Sequence, residues 1–334
     1  MQSGYLLDLY GTKFRQEILL ELLQINAIAL DSAGAFAFQT QIIQMLFDPL
    51  CHAFRSFSLL SVIFYLPYSL SRKNLHLIAG GTMNQYIDSS AKLGDEVQLG
   101  HNCVIMEDVV IGNNCLIGHN VVIHRGSVIG DNVRIDDNVI IGKTPLSSPR
   151  SIFKVAQNLE PAHIGSFCQI GANVVIYAQC KIGERNLIAD LATIRENVKI
   201  GMLNIIGRNV AIENFVEIGD RNKFETNSYI TAYSVVEDYC FVAPGVITSN
   251  DNYMARDQER FEHFKGITMR SGSRIGANAT ILPGKVIEPD GMVAAAAVVT
   301  KDVPAARIVV GSPAKCFRTV PEPQLLKNNL DTKV

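Results

Sequence analysis

The chain has 334 residues, of which 48% are apolar and 19% charged, and it contains no tryptophan. Its 30 Lys and Arg against 32 Asp and Glu leave a formal net charge of −2, which gives no reason to expect a nucleic-acid partner. The length has room for two modules, and seven cysteines with no CxxC pair and no disulfide pattern point to a reducing, cytoplasmic setting.

Residues 1–86 read as a helical segment. Apolar residues at helical spacing (Ile18, Leu19, Leu22, Leu23 and Ile25, later Ile42, Ile43, Leu46 and Phe47) predict helices over about 13–30, 35–47 and 52–66, with breaks near Asp31–Gly34 and at Asp48–Pro49. Met1–Gly11 carries an acid and no base, which is unlike a cleavable signal. Ser56–Leu70 is uncharged, but with Pro67 inside it falls short of the roughly 18 residues a spanning helix needs. Buried or oligomer-facing helices are therefore expected in preference to membrane contact through 52–70.

At Ile87 the pattern changes to a six-residue beat. An apolar residue stands at Ile87, Leu93, Leu99 and every sixth position to Ile141, again from Ile164 to Val242, and again from Met269 through Ile275, Ile281, Ile287 and Val293 to Val299. Six fits neither a helix nor a continuous strand; it fits a short strand and a tight turn, repeated as the sides of a coil. Glycine often follows the beat residue (Gly94, Gly100, Gly118, Gly165, Gly183, Gly276), as expected of a corner with positive φ, and Asn and Asp crowd the next positions for the same reason. The position four after the beat residue must also turn inward and is mostly small. Cys103, Cys115, Cys168, Cys180 and Cys240 fall in it and read as core, leaving Cys51 and Cys316 outside the array. Asn186, Asn204 and Asn222 recur in that column at every third repeat, which predicts three strands per coil and a structural amide ladder. Thirty repeat units make about ten coils, a prism ~48 Å long at ~4.8 Å per strand.

The beat skips from Ile141 to Ile164 and from Val242 to Met269, so loops are expected at 143–163 and 248–266. Loops on a rigid scaffold are where function tends to be placed. The second is the richer, with Asn250, Asp251, Tyr253, Arg256, Glu259, Arg260 and His263. From residue 304 the chain is expected to cap the prism, with a short helix at Pro321–Asn329.

This array resembles the left-handed parallel β-helix of the hexapeptide-repeat acyltransferases, over about residues 87–318. Its C-terminal half is most similar to the acetyl-CoA-dependent N-acetyltransferases of nucleotide-linked amino sugars. The loop Ser249–Tyr253, the run Ile275–Gly284, and the closing Val298–Pro304 and Val310–Lys315 carry that resemblance. The hand of the helix comes from the resemblance alone, since general crossover rules favour right-handed connections. What the resemblance implies is a mainly β fold, a homotrimer, and acetyl-CoA as donor in a groove between neighbouring prisms. It implies donor contacts from Ala277, Ala295, Ala296, Lys301 and Lys315. The candidate bases are Asp251, His263 and Glu225, and Asn227, Asn250, Tyr253 and Arg256 would meet a small acceptor, such as a nucleotide-linked amino sugar. No metal is expected. The chain departs from the family pattern at Asp190 and Thr193, where relatives often show histidine, and at Met254-Ala255, where a proline often precedes the arginine.

Three other readings stand beside this one. The first is an O-acetyltransferase of the same fold. The second is a metalloenzyme, because Gly118-His119-Asn120-Val121-Val122-Ile123-His124 resembles the two-histidine signature of γ-class carbonic anhydrases, with His101 one coil earlier. The third is a non-catalytic scaffold.

Overall fold

The computed structural model describes residues 84–149 and 159–330. The expected N-terminal helices, the 52–70 stretch and Cys51 lie outside the described residues. Contacts divide the chain into the units Met1–Gly80 and Gly81–Val334, and the second contains every element described below. Among the described residues no helix is long and apolar enough to cross a membrane.

From Tyr86 onward the chain winds as a parallel β-helix. Two-residue strands alternate with four-residue turns and line up as three sheets of eleven, ten and twelve strands. The first face begins with Tyr86–Ile87 and Val104–Ile105, the second with Lys92–Leu93 and Val110–Ile111, the third with Gln98–Leu99 and Leu116–Ile117. Paired strands are one full coil apart in the chain, as in Ile105 beside Ile123. The beat residues point inward and stack on their own kind: Ile105, Ile123, Ile141, Ile176, Ile194, Ile212 and Ile230 are fully buried on the first face. Each such burial contributes roughly 1.5–3 kcal/mol, so the beat is the main source of stability.

The corners correct one expectation. Apart from Gly142 (77°), the glycines after the beat residue do not have positive φ; that conformation falls two residues later, at Asn102 (58°), Asn114 (55°), Asn120 (55°) and Asn173 (59°). Asparagine tolerates it because its short amide adds little steric cost there. Glycine is demanded for another reason, close approach between coils. A Cβ on Gly165 would lie 2.6 Å from the Gly183 carbonyl carbon and 2.7 Å from the Glu184 nitrogen.

The inward column behaves as expected. Cys103, Cys168 and Cys180 are fully buried, and their thiols donate to carbonyls one coil on: Cys103 Sγ to Gly118 O (3.1 Å), Cys168 Sγ to Gly183 O (3.1 Å), Cys180 Sγ to Arg195 O (2.9 Å). Burial pushes the Cys180 thiol up to about 12 and the Cys240 thiol up to about 11, so neither is a thiolate nucleophile near neutrality. The asparagine ladder is present, but it runs from side chain to backbone. Asn186 Oδ1 accepts from Asn204 N (2.8 Å), Asn204 Oδ1 from Asn222 N (2.8 Å), and Asn222 Oδ1 from Cys240 N (2.7 Å).

The second skip in the beat is shorter than its apolar residues suggest. Thr248 occupies the next beat position, in the strand Ile247–Thr248, and is buried. Its hydroxyl satisfies itself locally, donating to Tyr229 O (3.1 Å) and accepting from Thr231 N (2.8 Å), which is how a polar residue can hold an apolar station. At the C-terminal end the third face continues past residue 303: Arg307–Val310 adds in parallel beside Met292–Val293, and Lys315–Thr319 turns back antiparallel to cover it. The C-terminal helix expected at Pro321–Asn329 is present as two short 3-10 turns, Glu322–Gln324 and Leu326–Asn328. A stretch this short, bearing Pro321 and Pro323, gives too few bonds to propagate an α-helix.

Candidate functional site

Both loops leave the prism at the same edge, where the first face turns into the second. The first joins Ile140–Lys143 to His163–Ile164, and the second joins Ile247–Thr248 to Thr268–Met269. The strand pairing of Val235 with Thr268 closes a coil that carries the whole second loop, and the sheet register is kept across it.

Asp251 organises the second loop. It accepts from the N–H groups of Tyr253 (2.8 Å) and Ala255 (3.0 Å), and Arg260 Nη1 lies 3.3 Å away. Arg260 belongs to the loop's single helical turn, Arg260–His263, and its guanidinium also covers the rings of Phe261 (4.7 Å) and Phe264 (5.7 Å). His263 stacks on Tyr253 with centroids 6.0 Å apart and has Glu259 Oε1 3.5 Å from Nε2. Asn250 holds the base of the loop through its carbonyl, which accepts from Lys265 N (3.2 Å), and Arg256 is exposed, its N–H donating to Tyr253 O. Met254 and Ala255 both have positive φ, 47° and 64°. Proline is fixed near −65°, so neither position can carry the proline that relatives often place before the arginine.

Burial works against the charge of Asp251, but the Ala255 and Tyr253 N–H groups and Arg260 outweigh it and hold the carboxyl below the usual carboxylate range. A carboxylate so engaged is a poor proton acceptor, which weakens Asp251 as a base and strengthens it as a clip. Because its pKa is lowered in the folded loop, the stability it adds is present above the ordinary value of about 4 and is lost as pH falls through the lowered one. Amide exchange at Tyr253 and Ala255 should therefore rise, relative to the prism, as pH drops below about 4. An Asp251→Asn chain should lack that step; a step of equal size in both would mean that the clip is not the carboxylate.

The remaining candidates stand elsewhere. Glu225, Asn227, Ala277, Ala295 and Ala296 share the edge where the third face turns into the first. Glu225 pairs with Lys223 Nζ (2.8 Å), and Asn227 Oδ1 accepts from Asn209 Nδ2 (2.8 Å). Ala296 N donates to Ala277 O (2.8 Å), Ala277 is half-buried, and Ala295 and Ala296 are exposed. Lys301 follows the last strand of the first face and Lys315 opens the antiparallel strand; both are exposed, and among the described residues neither forms an ion pair. The loop residues and the small-residue edge are thus separated by the width of the first face, and one chain does not bring them together.

The histidines are divided in the same way. His101 and His119 stack at 5.2 Å on the third-to-first edge, and His119 Nδ1 accepts from His101 N (2.8 Å). His124 lies on the first-to-second edge, half-buried, where burial and then Lys143 lower its pKa. A lone pair of His119 is already engaged, and His124 faces another edge; among the described residues of one chain no cluster of His, Cys, Asp and Glu is placed to hold a metal ion. Asp190 is a backbone clip, its Oδ1 accepting from Ala172 N (2.9 Å).

One constellation escaped the sequence reading. Between the two loops, on their edge, Arg195 pairs with Glu196 (2.8 Å) and lies 3.6 Å from Glu213, with its guanidinium 5.0 Å above Tyr177. Burial raises the pKa of Glu213 despite Arg195. The signal was present: Arg195 and Glu213 each directly follow a beat residue, at the same station of successive coils, with opposite charges.

Residues 90–125 and 161–196 match the model described as bacterial transferase hexapeptide (six repeats), and 108–143 match the hexapeptide repeat of succinyl-transferase. A stretch of 56 residues is 46% identical to a 2,3,4,5-tetrahydropyridine-2,6-dicarboxylate N-acetyltransferase of Staphylococcus aureus (strain JH9), covering 17% of this chain and 23% of the relative. The chain thus spans about a quarter of the length of the curated relatives it matches. Among solved structures, a UDP-N-acetylglucosamine acyltransferase from Bacteroides fragilis 9343 is 19% identical over 76% of this chain and 79% of its own, with a TM-score of 0.42. A hexapeptide-repeat acetyltransferase from Vibrio cholerae O1 biovar eltor, complexed with acetyl coenzyme A, is 24% identical over 37% of this chain and 71% of its own, with a TM-score of 0.34. Residues 90–143 and 161–196 thus carry hexapeptide repeats of the kind described for bacterial transferases, and the coil they build runs on with the same beat through the rest of the array.

Proposed function

We propose that the protein transfers an acetyl group from acetyl-CoA to an amine of a small acceptor, of the nucleotide-linked amino-sugar class. The observation that carries this reading is the third-to-first edge over the last coils. There Ala277 and Ala295 stand where bulkier residues such as Asp190 and Arg208 occupy earlier coils, and Ala296 follows, leaving the backbone approachable by a slender ligand. Lys301 and Lys315, exposed on the terminal coil, suit its phosphates as point charges.

The site is split. An acceptor loop on one edge and a donor edge across the first face form one centre only if a second copy supplies one of them, which supports a homotrimer of parallel prisms. In that centre the neutral amine attacks the thioester carbonyl, backbone N–H groups take the oxyanion charge, the C–S bond breaks, and the amine proton passes to a base or to the departing thiolate. His263, exposed and not engaged as Asp251 is, is the better-placed loop base.

Calorimetric titration of the full chain with acetyl-CoA tests the donor. Replacing Lys301 and Lys315 together by alanine should weaken binding at least tenfold and more than either single change. Unchanged affinity in the double variant would place the donor elsewhere. Sedimentation equilibrium tests the assembly, and a fully active monomer would remove the shared centre.

A further inference from the structure

The edge where the second face turns into the third carries neither of the two loops nor the candidate donor residues, yet its last coils hold a built cleft. The C-terminal strap of 3-10 turns, Glu322–Gln324 and Leu326–Asn328, lies across it, tied down by Leu326 N donating to Asp290 Oδ1 (2.8 Å). Gly272 lets the strap come that close: its φ is +74°, and a Cβ there would sit 2.9 Å from Leu326 Cβ. Strap and coils enclose a cleft of about 330 Å³ lined by Arg221, Tyr239, Arg274, Asp290, Gln324 and Asn329.

Arg274 makes this cleft unusual. Its Nε and Nη2 are buried and have no acceptor among the described residues. A guanidinium stays charged at any physiological pH, and burying its donors without an acceptor costs free energy. The one carboxylate lining the cleft, Asp290, spends Oδ1 on the strap. Arg221, whose guanidinium lies 5.7 Å from the centre of the Tyr239 ring, adds a second positive charge from another coil.

We infer that this cleft binds a phosphoryl group. Two arginines from different coils, with the amide of Gln324 at the strap, offer more donors than the two oxygens of a carboxylate can use; a phosphate presents oxygens in several directions and accepts forked guanidinium bonds. The phosphoryl group comes either from free phosphate or from the nucleotide end of a coenzyme A donor, and only the second source rests on the function proposed above.

Inorganic phosphate is the probe, titrated calorimetrically into the full chain in the absence of acetyl-CoA. Saturable binding is expected, weakened at least tenfold by Arg274→Gln and several-fold by Arg221→Gln. No binding to the wild-type chain, or equal affinity in both variants, would overturn the inference. If Arg274→Gln does not fold, Arg221→Gln decides alone, and unchanged phosphate affinity there counts against the site. The source is read by competition: phosphate displaced by acetyl-CoA makes the cleft part of the donor's seat, whereas phosphate retained beside bound acetyl-CoA makes it a site for a separate phosphate. Phosphate binding that persists while acetyl-CoA fails to bind would sink the proposed function and leave this inference standing.

Discussion

Asn204→Ala is expected to lower stability by about 3 kcal/mol or more, and to do more damage than Asn222→Ala. Both asparagines are buried in the same inward column, so apolar burial does not distinguish them. Their hydrogen bonds do. Asn204 Oδ1 accepts from Asn222 N (2.8 Å), and Asn204 Nδ2 donates to Gly219 O (3.0 Å) and Met202 O (3.2 Å), so truncation strands a donor and removes two acceptor contacts. Asn222 Oδ1 accepts from Cys240 N (2.7 Å), while its Nδ2 has no partner among the described residues, so its removal also relieves a buried amide. Each stranded buried group costs roughly 1–3 kcal/mol. Because a solenoid's coils contact only their neighbours, the damage should be local. Guanidinium denaturation compares the two variants, and amide exchange at Asn222 and Cys240 locates the loss. A larger loss in Asn222→Ala would mean that the ladder is packing and not hydrogen bonding.

The fold was legible because one physical rule, burial of a residue every sixth position, is repeated through the array without exchange of roles. It set the strand positions, the inward cysteines, and the two loops. The rule hides what interrupts it politely. Thr248 keeps the beat with a hydroxyl that bonds to Tyr229 and Thr231, so a scan for apolar residues loses one strand. The reason for the glycines was also out of reach, because crowding of Gly165 against Gly183 is a contact between coils and leaves no local mark beyond the glycine itself. The candidate site was legible only as a list. Which edge a residue occupies follows from its count along the coil, and that count separates Glu225 and Ala277 from Asp251 and His263. What a side chain does on its edge depends on neighbours a full coil away in the chain. Asp251 looked like a base and is held as a clip, and two guanidinium nitrogens of Arg274, a residue the sequence did not single out, are buried without an acceptor among the described residues.

His263→Ala is expected to lower turnover by roughly 10²–10⁴, the range for losing a general base, with acetyl-CoA affinity unchanged. The ring sits on an excursion from the prism, stacked on Tyr253 and 3.5 Å from Glu259, and contributes nothing to the buried column, so the fold should survive its removal. Asp251→Asn should behave differently. It replaces a carboxylate that receives two N–H bonds and Arg260, so the loop loosens, and the loss should appear mainly as a raised KM for the acceptor. A base also leaves a pH signature: the acidic limb of kcat should flatten in His263→Ala and persist in Asp251→Asn. If turnover falls by much less than a hundredfold in His263→Ala and the limb remains, the loop holds no base. Glu225 across the first face, or proton return through the departing thiolate, then carries the reaction. Glu225 is paired with Lys223 Nζ at 2.8 Å, so a Glu225→Gln chain retaining full turnover would leave the thiolate as the acceptor of the amine's proton.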